Sequence, residues 1–88
     1  MITVEALDNM TFKVLVEGLT TTTHTVTVSP AYYEKLTSRR ISAEELVRRS
    51  FEFLLERESN TSILRHFDLP EIGRYFPEYE STIRSRLD

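Results

Sequence analysis

There is no cysteine among the 88 residues, so neither a disulfide framework nor thiolate chemistry is available to this chain. Glycine occurs only at Gly18 and Gly73, which leaves no glycine-rich loop to cradle a phosphate. The two histidines, His24 and His66, belong to no cluster with metal-ligand spacing, so neither a metal nor a cofactor is expected. No apolar run approaches the roughly 18 residues of a membrane span. The opening segment, MITVEALDNM, also lacks the basic region and apolar core of a signal peptide. A cytoplasmic protein without a membrane partner is the resulting expectation. The net charge of −3 opposes indiscriminate polyanion binding, so nucleic acid would have to be held by a local basic patch.

What is present is ordinary globular composition, 40% hydrophobic and 28% charged, which opposes a disordered chain. Length and an even spread of charge predict one domain over residues 1–88, burying about two-thirds of its unfolded surface. Residues 2–29 read as strands. Ile2, Val4 and Ala6 alternate with polar neighbours, as do Phe12, Val14 and Val16. Asp8 and Asn9 tolerate the left-handed backbone of a tight hairpin, and Gly18 permits the next turn. The β-branched run over residues 20–29 completes an antiparallel meander of about three strands.

Ser29 and Pro30 change the period, as N-cap and first helical residue of a short helix over residues 30–38. The best-marked element follows over residues 42–58. Ser42 with Glu45 predicts a capping box, and Ile41 with Leu46 a hydrophobic staple. Ala43, Leu46, Val47, Ser50, Phe51, Phe53, Leu54 and Leu55 fall on an arc wider than an ordinary apolar stripe, so this helix should pack against a sheet and something else. Beyond it, Ile63, Leu64 and Phe67 suggest a short helical turn, and Asp68, Pro70 and Glu71 another helix start. Phe76, Tyr79, Ile83 and Leu87 space a terminal amphipathic helix over residues 77–87. The predicted class is α+β: a small antiparallel sheet packed by the central helix, with short helices covering the remainder.

No catalytic constellation emerges. His66 near Asp68 matches an oriented base in outline only, and a surface histidine beside a helix start is the commoner use of that pair. His24 shares the valine face of its strand, as a strand-end residue or a core histidine with satisfied ring nitrogens. An enzyme is therefore not expected. Arg74, Tyr75, Phe76 and Tyr79 mix aromatics with arginine, a combination enriched at protein interfaces, although in so small a chain such aromatics more often close its own core. The leading expectation is a non-catalytic protein-interaction module, self-associating or the small partner of another protein.

Over residues 23–58 the order is a strand, a short helix opened by Ser29 and Pro30, a turn, and a longer helix opened by Ile41 and Ser42. This order resembles the ribbon–helix–helix family of bacterial repressors and antitoxins, in which two chains each contribute a strand to a ribbon that enters the major groove. The resemblance implies that Thr23, Thr25 and Thr27 face the groove, and that Arg39 or Arg40 anchors phosphate beside the helix start. The chain departs from that pattern in its short first helix and in an outward strand face without arginine, lysine, asparagine or glutamine. Glu44 and Glu45 also stand where phosphate would approach. A dimeric DNA-binding regulator is accordingly the alternative reading, behind a threonine-covered solvent face.

Overall fold

In a computed structural model that describes residues 1–87, the chain is an α+β fold built on one four-stranded sheet. Strands β1 (Ile2–Ala6), β2 (Thr11–Val16) and β3 (Thr22–Thr27) form the expected antiparallel meander. Their register sets Phe12 opposite Val26 and Val14 opposite His24, so the buried side chains of both strands share one face. Thr3, Glu5, Lys13 and Thr23 point the other way, into solvent.

The β1–β2 turn closes differently from expectation. Among the described residues, only Ser38 and Arg39 have positive φ, so neither Asp8, Asn9 nor Gly18 uses the left-handed backbone. The Asp8 carboxylate instead accepts the backbone N–H of Met10 and of Thr11, each at 2.8 Å, and ties the turn from within.

Helix α1 (Pro30–Thr37) starts where Ser29 Oγ accepts the Tyr32 N–H at 3.1 Å. It stops at Ser38, whose N–H makes a last helical bond to the Glu34 carbonyl and whose left-handed φ of 51° then turns the chain out of the helix. Helix α2 (Ala43–Leu55) is capped by Ser42, which accepts the Glu45 N–H at 3.0 Å. The reciprocal half of the expected box is not made, because the Glu45 carboxylate pairs with Arg48 and Arg49. Regular helix ends at Leu55, short of residue 58, and the chain turns down into a single 3-10 turn (Asn60–Ser62).

Both sides of the wide α2 arc are occupied. Phe51 faces the sheet, with ring centroids 5.3 Å from His24 and 6.0 Å from Phe67. Phe53 packs edge-on against Phe76 and Tyr79. The Arg48 guanidinium reaches over to the Ile2 carbonyl at 2.9 Å, on the free side of β1, which blunts that sheet edge.

The last third departs most from the sequence reading. Ile63 is extended, and Phe67 sits in a fourth strand, β4 (His66–Asp68), parallel to β3; the helical turn expected at Ile63, Leu64 and Phe67 is absent. A three-residue strand with one buried side chain is too short to carry a period, and only pairing with β3 defines it. The parallel direction follows because the chain crosses the sheet through α1 and α2 before returning. A 3-10 turn (Leu69–Glu71) leads to α3 (Ile72–Tyr75), and α4 (Tyr79–Ser85) closes the chain against α1 and α2.

Candidate functional site

Two buried polar networks fix the surroundings of the site. Tyr79 and Ser50 are both fully buried, and their hydroxyl oxygens lie 2.6 Å apart. Ser50 Oγ donates to the Leu46 carbonyl at 2.8 Å, so its single proton is committed and Tyr79 must donate to it. Burial pushes the Tyr79 phenol well above its ordinary value, which keeps that proton in place.

The second network anchors the segment leading into β4. Asn60 donates to the carbonyls of Val16 and Thr20 and to Thr22 Oγ1. His24, fully buried, places Nδ1 at 2.7 Å from the Leu64 carbonyl and Nε2 at 2.8 Å from Thr22 Oγ1. A carbonyl only accepts, so Nδ1 carries the proton and Nε2 accepts from the threonine hydroxyl. Desolvation pulls the His24 pKa down, aided by the charge of Arg65 and opposed by the Leu64 carbonyl, and the ring sits neutral in the fold. His24 is thus the satisfied core histidine of the two readings.

Held in this way, the segment after α2 stands away from α3 and leaves an open groove of about 260 Å³. Its floor is apolar: Leu54, Ile63, Phe67 and Ile72 are all buried. Its rim carries Leu64, 48% exposed, and Tyr75, 67% exposed, with Phe76 half-buried between floor and rim. Two carboxylates line it, Glu58 and Glu71. Glu71 is engaged, accepting the Asp68 N–H at 2.9 Å and so capping the turn that begins at Leu69. The Glu58 backbone N–H donates to the Leu54 carbonyl at 2.9 Å, but its carboxylate has no hydrogen bond or ion pair among the described residues, and burial raises it above its ordinary value with no cation to offset the shift. Arg57 beside it is committed elsewhere, stacked 3.6 Å over the Phe53 ring and bonded to Glu56 and Glu78.

The four residues expected at a protein interface are separated by this arrangement. Tyr75 and Phe76 meet at the groove, and Arg74 is exposed outside its lining. Tyr79 is a core residue and leaves the candidate interface, because its ring and hydroxyl are both consumed inside the chain. Sequence reasoning missed Leu64 and Glu58 as rim residues. Their roles depend on where the β4 segment lies, for which the sequence carries no periodic signal.

The candidate DNA contacts do not assemble. β3 is bonded to β2 on one side and β4 on the other, so it has no edge to offer a second chain. Thr23, Thr25 and Thr27 do share the outward face, and Thr27 Oγ1 hydrogen-bonds the Asp68 carboxylate there. Arg39 and Arg40 sit in the α1–α2 turn, within the helical layer on the opposite face, where Arg39 pairs with Glu34. His66 and Asp68 are exposed on the outward face of β4, with the Asp68 carboxylate taken by Thr27. Among the described residues no group of three His, Cys, Asp or Glu side chains is placed to hold a metal ion, and no helix is long and apolar enough to cross a membrane. No protein-family model, curated protein or solved structure matches this chain.

Proposed function

We propose that this chain is a non-catalytic protein-interaction module that receives an apolar side chain of a partner protein in the groove between α2, residues 62–64 and α3. The observation that carries this reading is the rim. Tyr75 and Leu64 stand exposed over an apolar floor, although Phe12, Phe51, Phe53, Phe67 and Tyr79 are all withdrawn into the core. Exposed aromatics beside a desolvated apolar pocket are the usual anchors of protein recognition. The cysteine-free composition fits a reducing, cytoplasmic setting.

The test uses a random peptide library displayed against the folded chain, followed by affinity measurements on Leu64→Asp and Tyr75→Ala. Both residues are exposed enough for the variants to fold, which circular dichroism checks. Enriched peptides sharing an apolar anchor, and losing roughly ten-fold or more in affinity to these variants, support the reading. Peptides indifferent to both changes, or none enriched at all, overturn it. A light-scattering mass of a dimer that Leu64→Asp returns to monomer also overturns it, in favour of a second copy as the occupant.

A further inference from the structure

Within that reading, whose truth it requires, the charge of the groove says more about the partner. The two charged residues in its lining are both acidic, and only one of them is already employed. Glu71 caps the Leu69 turn through the Asp68 N–H, and its departure would uncap that turn. Glu58 has no such duty. It is half-buried in the turn that follows α2, lining the groove together with Leu54 and Ile63, and its neighbour Arg57 is held away by Phe53, Glu56 and Glu78. A carboxylate kept partly out of water without a counter-ion is held at a cost, and an arriving cation relieves it.

Tyr75 adds a second attraction. Its exposed ring lines the same groove and offers a π face to a cation. A wholly apolar ligand would deepen the desolvation of Glu58 and satisfy nothing. An acidic ligand would meet like charge. We infer that the partner segment carries a lysine or arginine next to its apolar anchor, with Glu58 as the counter-ion and Tyr75 flanking it. The anchor fills the floor over Phe67 and Ile72, and the cation lies along the rim toward α2.

The deciding experiment runs the displayed peptide library in parallel against the wild type and Glu58→Gln. Glutamine keeps the size of the side chain, and the loss of an unpaired carboxylate leaves the fold intact, checked by urea unfolding. Peptides selected on the wild type should be enriched in lysine or arginine beside the anchor and lose roughly ten-fold in affinity to Glu58→Gln. Replacing the peptide's cation by glutamine should abolish that difference between the two proteins. A ¹³C titration of the Glu58 carboxyl should also move to lower pH when the cationic peptide binds. Peptides that need Leu64 and Tyr75, yet show no basic enrichment and bind Glu58→Gln within two-fold, overturn this inference and leave the interaction reading standing. Failure to select any peptide sensitive to Leu64→Asp removes both.

Discussion

The Ser50–Tyr79 pair gives the sharpest test of the core, because its proton assignment predicts unequal costs for its two halves. The Tyr79 O–H donates to Ser50 Oγ across 2.6 Å, and Ser50 donates onward to the Leu46 carbonyl. Tyr79→Phe removes the donor and leaves Ser50 with its own donation intact, so the cost should be about 1 kcal/mol. Ser50→Ala leaves a buried phenolic O–H without an acceptor, which costs about 1–3 kcal/mol. The better helix propensity of alanine returns up to about 0.5 kcal/mol of that. In the double variant no orphan remains, so its loss should fall short of the sum by about 1 kcal/mol.

Urea unfolding followed by circular dichroism measures all four proteins, with an unchanged slope marking a pure stability effect. For a domain of this size each kcal/mol moves the melting temperature by about 4–8 °C, so thermal melts give an independent reading. Tyr79→Ala also deletes the ring packed against Phe53 and should cost about 3–5 kcal/mol, a large share of a total near 5–15 kcal/mol. Additivity of the two conservative changes, or a neutral Ser50→Ala, would refute the buried donor chain and with it the placement of Tyr79 in the core.

Two further outcomes follow from the polar anchors and the backbone. His24 has a folded pKa below the ordinary imidazole value near 6.5. Its contribution to stability is therefore complete above that pH and is lost as the pH falls from there toward the folded value. The stability difference between the wild type and His24→Gln should shrink over that window in urea titrations, and parallel pH profiles would show the ring is not held neutral. Ser38→Gly should stabilise the chain by about 0.5–1 kcal/mol, since relief of the left-handed strain at φ 51° exceeds the added unfolded-state entropy. A fall in melting temperature for that variant would mean that the Ser38 side chain matters more than its backbone.

Local chemistry decided much of this protein. The alternation over residues 2–29, the caps at Ser29 and Ser42, and the broad apolar arc of α2 each produce the observed element, because nearest neighbours along the chain supply the forces. The double role of α2 was legible too, since Phe51 and Phe53 lie on different sides of one buried arc. At Asp8 the site of the turn was legible but its mechanism was not. Asp8 stabilises a turn either by adopting φ > 0 or by lending its carboxylate, and only the closed backbone selects the second.

Tertiary structure decided β4 and the groove. His66, Phe67 and Asp68 become a strand because β3 presents a free edge and because Asn60 and His24 pin the approach to it. That pairing closes β3 against a second chain, which sequence order alone could not reveal. It also sets Leu64 and Tyr75 at a rim and draws Tyr79 inside. Residues of the same aromatic type, four apart in sequence, part company because a short helix turns one toward solvent and the next begins with the other facing Ser50. Composition names the residues able to recognise a partner; long-range hydrogen bonds, summed over segments that carry no period of their own, determine which of them remain outside.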